Sequence, residues 1–190
     1  MLLISQNINS YDIEIPKNSV LRINMAWCNS LKELEEKLIG GKENEFFIDL
    51  PIGRIKPPNN RYTLDEMIPI IESNSNVKYF AVSNVETKKD LEEFIQKLPK
   101  KVIIVPKIES AKAIDNIDEI CNSLKTSEKV VMLDHDDLFS SIIRNNEKRE
   151  KFQECIKELI DYCQENNISL LRTVGVVFSD DERRLTQYEK

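Results

Sequence analysis

Glycine is scarce in this chain, and its scarcity excludes one common way of binding phosphate. Only four glycines occur in 190 residues, at Gly40, Gly41, Gly53 and Gly175. They cannot form the GxGxxG turn of dinucleotide-binding proteins or the Walker A loop, both of which hold phosphate through glycine-rich backbone. Any phosphate bound by this chain is therefore held by side chains, by a metal ion or by helix N-termini.

Several other signals are missing. There is one histidine, and the four cysteines contain no CxxC pair, so a structural zinc site is not indicated. No apolar run approaches the roughly 20 residues of a membrane-spanning helix. The N-terminal segment lacks the basic start and long apolar centre of a signal peptide. Together these absences predict a cytoplasmic protein with reduced thiols and no contact with a membrane.

The charge balance narrows the choice of partners. Net charge is −6 with a pI near 5.1, and the 27 basic residues are scattered rather than clustered. This argues against nucleic acid or an anionic membrane surface as a partner, although a local group of cations could still hold a small anion. A chain of 190 residues is expected to form one domain, residues 1–190, that buries a sizeable core.

Short apolar runs alternate with amphipathic helical patterns along the chain. Six runs read as strands, and capping-box sequences at Ser30 and Thr63 mark two helix starts. This alternation predicts a parallel sheet with crossover helices. Residues 2–4 and 12–15 could add one or two strands, whereas residues 179–190 read as a polar helix or a frayed end.

A complete (β/α)8 barrel usually needs at least about 200 residues, so the predicted fold is an α/β, TIM-barrel-like domain that is reduced or incomplete. A sheet with an open edge has to be covered, and a second copy of the chain is the simplest cover, so we expect a homodimer. Candidate contact residues are Phe139, Ile142, Ile143 and Phe178.

Charged residues stand at the ends of the apolar runs. The C-terminal ends of parallel strands meet at one mouth, and ionic groups are costly there unless they are paired or bind something. Lys107 and Glu109 are two apart on one strand and should project to the same side. The pattern predicts an active-site mouth. A structural ion-pair network, including an Arg22–Asp49 pair, is the alternative interpretation.

Between Arg22 and Thr173 the chain resembles the catalytic barrel of pyruvate kinase, strand by strand and in order. The matching segments are residues 22–27 (RINMAW, against RLNFSH), 49–56 (DLPIGRIK, against DLPGPKIR), 63–66 with 80–85 (TLDE and FAVSNV, against LTEKD and FIALSFV), 107–120 (KIE and IDNIDEI, against KIE and VxNIDEI), 136–138 (DDL, against GDL) and 167–173 (NISLLRT, against KPVIVAT). The KIES and DDL segments also resemble the citrate lyase β and HpcH/HpaI aldolases, which share the phosphoenolpyruvate/pyruvate barrel.

The resemblance implies two ion sites. Glu109 and Asp137 would hold Mg²⁺ or Mn²⁺ through hard oxygen ligands. Asn24 and Asp49 would help to hold a monovalent cation such as K⁺. The partner that the resemblance implies is a small anionic substrate, a 2-oxoacid or a phosphorylated compound.

It also implies roles for the remaining site residues. Lys107, Arg22 and Thr173 would be catalytic: Lys107 beside the metal, Arg22 on a phosphate or carboxylate, and Thr173 near the carbon that gains or loses a proton. Arg22, Lys107 and Asp136 would bind substrate, with Asp134 a further nearby carboxylate. By contrast, Arg144 reads as part of a solvated helix start.

The leading functional hypothesis is a divalent-metal-dependent enzyme acting on phosphoenolpyruvate, pyruvate or a related 2-oxoacid through an enolate. Phosphoryl transfer and carbon–carbon lysis both stay open, as transferase or lyase. The alternative is a catalytically silent barrel that binds a ligand or acts as a scaffolding subunit. That alternative draws on the lack of the pyruvate kinase lid and C-terminal regulatory domain, and on Asp136 and Phe139 replacing two glycines of the family pattern.

Overall fold

A computed structural model describes residues 2–5, 19–52, 61–178 and 184–189. Within them lie eight strands: β1 (Leu2–Ser5), β2 (Ser19–Asn24), β3 (Glu45–Leu50), β4 (Val77–Val82), β5 (Ile103–Ile108), β6 (Val130–Leu133), β7 (Ser169–Phe178) and β8 (Arg184–Glu189). The same residues contain seven α-helices: α1 (Leu31–Gly40), α2 (Leu64–Ser73), α3 (Glu92–Lys97), α4 (Ala111–Asp115), α5 (Ile117–Ser123), α6 (His135–Arg144) and α7 (Lys151–Glu165).

The strands follow one another around a barrel in chain order. β1 to β7 are parallel and curl around the axis, and β8 runs antiparallel to both β7 and β1. The closing contact is short, with Leu3 on β1 registered against Tyr188 on β8. An antiparallel strand needs only a hairpin, not a crossover helix, and this shortens the chain required to close the barrel. The predicted reduced TIM-barrel-like fold is confirmed.

The structure tests most of what was predicted for the two ends of the chain. Residues 2–4 do form a strand, β1, whereas residues 12–15 lie outside the described part. The prediction of a polar helix or a frayed end after residue 179 is wrong, because residues 184–189 form β8. Thr186 and Tyr188 in that segment are good strand formers, and pairing on both sides outweighs its polar character.

Helix starts follow the local capping chemistry. Ser30 Oγ accepts a hydrogen bond from Glu33 N at 3.0 Å, and Thr63 forms a reciprocal capping box with Glu66. Asp134 caps α6 in the same way, accepting from Asp137 N at 3.2 Å. Both predicted capping boxes therefore begin helices, and a third cap fixes the helix that follows β6.

The inside of the barrel is apolar in its lower part and ionic at its top. Alternate residues of a strand face the same side, so each strand can be followed upwards. On β5 the apolar residues Ile103 and Val105 precede Lys107 and then Glu109, and on β3 Phe47 precedes Asp49. The apolar residues pack into a plug inside the barrel, with the Phe47 and Tyr79 rings stacked 6.1 Å apart. This plug forms the floor on which the ionic layer rests.

The four cysteines belong to the larger hydrophobic core of the protein. Cys28, Cys121, Cys155 and Cys163 are all buried free thiols. Burial raises the pKa of Cys121 to about 11 and that of Cys163 to about 12. Because the thiolate is the reactive form, we expect the native protein to react with Ellman's reagent at least about a hundredfold more slowly than the urea-unfolded chain. Rapid labelling of all four thiols under native conditions would contradict this packing.

The structure changes the basis of the dimer prediction. Because β8 closes the sheet, no open edge between β7 and β1 has to be covered by a second copy. Of the proposed contact residues, Ile142 is fully buried in the core, while Phe139 and Ile143 are exposed on α6. The side chain of Phe178 lies outside the described residues. A homodimer stays a prediction, now resting on Phe139 and Ile143.

Candidate active site

A cavity of about 360 Å³ opens at the C-terminal ends of the parallel strands. Its walls come from several loops and strand ends and from one face of α6. Thirteen residues line it: Arg22, Asn24, Asp49, Pro51, Ile52, Ser83, Asn84, Lys107, Glu109, Asp134, Asp137, Ser140 and Arg144. This is the mouth that the charged strand ends predict, at the position where such barrels carry their sites.

Lys107 is the buried cation of the cavity. It is 5 % exposed, and its Nζ lies 2.6 Å from Glu109 Oε1 and 3.6 Å from Asp134 Oδ2. Burial opposes its charge, but the negative charges of Asp49, Glu109 and Asp134 outweigh burial and raise the pKa of Lys107 above its ordinary value. The lysine therefore stays protonated at neutral pH, with its ammonium group held among carboxylates.

Glu109 is fixed from two sides. One carboxylate oxygen contacts Lys107, and the other accepts a hydrogen bond from the backbone N–H of Asn84 at 2.6 Å. Burial raises the pKa of Glu109, while Lys107 and the Asn84 N–H pull it back down. The Asn84 side chain in turn donates to the carbonyl oxygen of Ile52 at 2.5 Å. Asn84 thus ties the loop after β3 to the carboxylate at the end of β5.

Three carboxylates converge beside Lys107. Oxygen atoms of Glu109, Asp134 and Asp137 lie within 4.8 Å of one another, and the three residues range from buried to exposed. Oxygen donors from carboxylates, with open directions towards solvent, are the ligands that Mg²⁺ and Mn²⁺ take in proteins. The donor set therefore fits a divalent cation, and Asp134 joins the two residues predicted from sequence.

Arg22 and Asp49 form an ion pair at the base of the cavity. The guanidinium contacts Asp49 Oδ2 through both Nε, at 3.2 Å, and Nη2, and the Asp49 side chain is fully buried. Asn24 Oδ1 accepts a hydrogen bond from Ala26 N at 3.0 Å, which caps a short 3-10 turn after β2. Oxygens of both proposed K⁺ ligands thus have protein partners, and the monovalent site stays a prediction.

Six of the eight predicted site residues come together, one lies elsewhere, and the side chain of one is outside the described residues. Arg22, Asn24, Asp49, Lys107, Glu109 and Asp137 all line the cavity. Asp136 is exposed on α6 and does not line it, so its substrate-binding role gains no support from the geometry. Thr173 lies in β7, and its side chain is outside the described residues.

Sequence reasoning missed four polar residues of the cavity: Ser83, Asn84, Ser140 and Arg144. Ser83 could have been found by continuing the inward alternation of Tyr79 and Ala81 on β4. Asn84 gave no such signal, because its role depends on a left-handed backbone with φ of 54°. Ser140 and Arg144 lie three and seven residues after Asp137, so they share its face of a helix. That signal can be used only once α6 is known to begin at His135.

Asn84 should control the geometry of Glu109. In Asn84→Gly the left-handed backbone is relaxed and the N–H donor remains, so we expect Mn²⁺ affinity within about threefold of wild type. Both variants lose the side-chain bond to the Ile52 carbonyl, at about 1 kcal/mol, and in Asn84→Ala the alanine, which tolerates positive φ less well than asparagine, adds about 1 kcal/mol of backbone strain. We expect at least a fivefold loss of Mn²⁺ affinity there, measured by isothermal titration calorimetry. Equal affinities in the two variants would show that the backbone of Asn84 does not position Glu109.

Comparison with known proteins agrees with this geometry. Residues 62–189, more than half of the chain, match the sequence profile of the HpcH/HpaI aldolase/citrate lyase family. Lys107, Glu109, Asp134 and Asp137 lie inside the match, whereas Arg22 and Asp49 precede it. No curated protein is similar enough to count as a relative.

Among the described residues, no helix is both long enough and apolar enough to cross a membrane.

A solved structure supports the fold. RipC from Yersinia pestis superposes with a TM-score of 0.58 over 85% of this chain and 72% of its own, at 13% sequence identity. At that identity the likeness shows the fold alone. Neither comparison singles out pyruvate kinase. Of the two resemblances predicted from the sequence, the one to the HpcH/HpaI aldolases and citrate lyases is therefore supported. The chain belongs to the HpcH/HpaI aldolase/citrate lyase family.

Proposed function

We propose that this protein is a divalent-metal-dependent lyase that breaks or forms a carbon–carbon bond next to the carbonyl of pyruvate or a related 2-oxoacid. The observation that carries the proposal is the convergence of Glu109, Asp134 and Asp137 beside the buried Lys107 at the barrel mouth. Family membership supports lysis rather than phosphoryl transfer.

Glu109 and Asp137 would hold Mg²⁺ or Mn²⁺, with Asp134 as a third oxygen donor. When bound, the ion supplies Lewis-acid stabilisation for the negative charge that develops on the enolate oxygen. The protein's part is to fix the donors. Asp134 is held by the start of α6, where it accepts from Asp137 N, and Glu109 is held by Asn84 and Lys107.

Lys107 would act as a fixed positive charge for the substrate. Its ammonium lies among carboxylates that would be shared with the cation, so ion binding frees part of its hydrogen-bonding capacity. Arg22 would orient a carboxylate of the substrate through its guanidinium, which Asp49 holds in place at the cavity. Thr173 stays a proposed participant near the reacting carbon.

The apolar plug below the cavity helps the same chemistry. Phe47, Tyr79 and Val105 are buried and belong to one apolar cluster inside the barrel, beneath the ionic layer. A dry floor strengthens electrostatic interactions in the site, because the effective dielectric constant is lower than in water.

A second candidate is the silent barrel. The observation that favours it is that Lys107 and Arg22 already have carboxylate partners within the protein, as in a structural ion-pair network. Under this alternative the cavity binds a ligand or a partner without turnover.

One experiment separates the candidates. Pyruvate is incubated with the protein in D₂O, with Mg²⁺, Mn²⁺ or EDTA, and exchange of the C3 protons is followed by ¹H NMR. This reports enolate formation without knowledge of the second substrate. We expect metal-dependent exchange that is lost in Glu109→Gln. Tight Mn²⁺ binding without exchange of pyruvate or 2-oxobutyrate would favour the silent barrel, and ATP formation from phosphoenolpyruvate and ADP would restore phosphoryl transfer.

A further inference from the structure

A buried serine lies where β4 passes from the apolar plug to the ionic layer. Ser83 directly follows β4 and continues the inward alternation of Tyr79 and Ala81, which belong to the plug. The residue is 8 % exposed and lines the cavity. Its side chain therefore forms part of the cavity floor on the β4 side.

The hydroxyl of Ser83 is buried without a partner among the described residues. Its Oγ forms no hydrogen bond with any of them. Such a group lowers stability, because it has given up its bonds to water and gained none in the fold. Ser110 is equally buried, at 8 % exposed, yet its Oγ accepts from Ala113 N at 3.2 Å and donates to Glu86 Oε1 at 3.3 Å. Of these two buried serines, the unsatisfied one is the one that lines the cavity.

Strand order places Ser83 between the charged groups of the cavity. The ion pair at the base lies on β2 and β3, whereas the carboxylate cluster lies at the ends of β5 and β6 and at the start of α6. β4 pairs with both β3 and β5. Because Val82 is registered against Pro106, the residues that follow them, Ser83 and Lys107, are neighbours on adjacent strands. An anion that reaches from the cluster to Arg22 would lie over this end of β4.

The chemistry of the hydroxyl suits an anionic oxygen. A serine hydroxyl can donate one hydrogen bond, and a bond donated to a carboxylate is stronger than one between neutral groups. Rotation about χ1 between staggered rotamers can turn Oγ towards the cavity without moving the backbone. Ser83 would then act as a neutral donor beside the ammonium of Lys107, in a lining that also holds the guanidinium of Arg22.

We propose that Ser83 is a substrate-binding residue whose hydroxyl donates a hydrogen bond to the carboxylate of the 2-oxoacid. The substrate then supplies the partner that Oγ lacks among the described residues. The same hydroxyl lowers the stability of the ligand-free protein and strengthens binding, because it is satisfied only in the complex. The inference rests on the proposed function, since it takes the ligand to be a 2-oxoacid held beside Lys107.

Ser83→Ala tests both consequences. Pyruvate affinity is measured from the relaxation of pyruvate methyl protons by protein-bound Mn²⁺, and we expect about tenfold weaker binding than in wild type. The affinity for Mn²⁺ itself should stay within about twofold, because Ser83 is not one of the clustered carboxylates. The urea midpoint of the ligand-free variant should be no lower than that of wild type, because the substitution deletes an unsatisfied group.

Ser110→Ala is the matched control, because Ser110 is buried to the same degree and does not line the cavity. Loss of its helix-cap bond should lower the urea midpoint, while pyruvate affinity should stay within about twofold of wild type. The role of Ser83 is overturned if Ser83→Ala binds pyruvate as tightly as wild type does. It is equally overturned if Ser83→Ala loses as much stability as Ser110→Ala, because the hydroxyl would then be satisfied within the protein.

Wild-type titrations separate this inference from the proposed function. If wild type binds no Mn²⁺, or binds Mn²⁺ but no pyruvate, the proposed function fails and the role of Ser83 fails with it. If wild type binds both and Ser83→Ala binds both equally well, only the role of Ser83 fails.

Discussion

Glu109→Gln and Asp137→Asn are each expected to abolish measurable Mn²⁺ binding while the barrel remains folded. Each variant removes one charged oxygen donor from a cluster that fits a divalent ion. Asp137 is exposed, so its replacement should cost little stability. Glu109→Gln should cost about 1–3 kcal/mol, because it breaks a buried contact to Lys107. Binding is measured by calorimetry or by Mn²⁺ electron paramagnetic resonance, and folding by circular dichroism.

Neighbouring acids supply the controls for this experiment. Asp136→Asn removes a carboxylate one residue from Asp137, but Asp136 does not line the cavity, so Mn²⁺ affinity should stay within about twofold of wild type. Asp134→Asn tests the added third donor, and we expect a loss of about tenfold or more. Wild-type affinity in both Glu109→Gln and Asp137→Asn would show that the ion does not bind at this cluster.

Lys107→Met should destabilise the metal-free protein by about 3–5 kcal/mol, and divalent metal should restore much of that loss. Without the ammonium group, Glu109, Asp134 and Asp49 repel one another in a largely buried site. A bound cation can replace the missing charge, so Mn²⁺ should stabilise the variant more than it stabilises wild type. Urea unfolding with and without Mn²⁺ measures both effects.

The pH dependence of this contribution follows from the direction of the shift. The pKa of Lys107 in the folded protein lies above the ordinary lysine value of 10.5. Stability from its charge is therefore fully present below the unfolded pKa and is lost as pH rises through the folded pKa. Loss of the wild-type advantage over Lys107→Met is thus expected in the alkaline range rather than near neutrality.

Lys112→Met provides the matched control for the lysine experiment. Lys112 also contacts a carboxylate, Glu86 at 2.7 Å, but on the surface. Exposed pairs contribute about 0–1 kcal/mol, and this variant should show no extra response to Mn²⁺. If Lys107→Met were as stable as wild type without metal, or if Mn²⁺ stabilised both equally, the carboxylates would not be electrostatically coupled through Lys107.

The sequence was informative wherever a local rule determines the structure. Helix starts at Ser30 and Thr63 follow from capping chemistry, and the pairing of Lys107 with Glu109 follows from the two-residue period of a strand. These rules involve residues close together in the chain. They recover the barrel and most of the ionic layer at its mouth.

The acids of the DHDD segment show where such reasoning ends. The sequence does not show which of Asp134, Asp136 and Asp137 face the cavity, because this depends on the residue at which α6 begins. Once Asp134 is the cap, Asp137 lies one turn on and on the same side, while Asp136 points about 100° away. The position of Arg144 in the cavity lining depends on the same helix phase, two turns further along α6. The direction of β8 was equally out of reach, because it is set by antiparallel pairing with β7 and by the closing contact with β1, which the polar residues of the segment do not indicate.

The way the barrel closes has a consequence for folding. β1 and β8 are the first and last described strands, so closure requires a contact between segments nearly the whole chain apart, and contacts of this separation form slowly. The ionic layer depends instead on the consecutive strands β2 to β6 and the start of α6, and these strands pair in chain order. During synthesis the carboxylate cluster can therefore assemble while the far seam of the barrel is still open. A divalent ion bound at that stage would stabilise a partly folded chain before its last strand is in place.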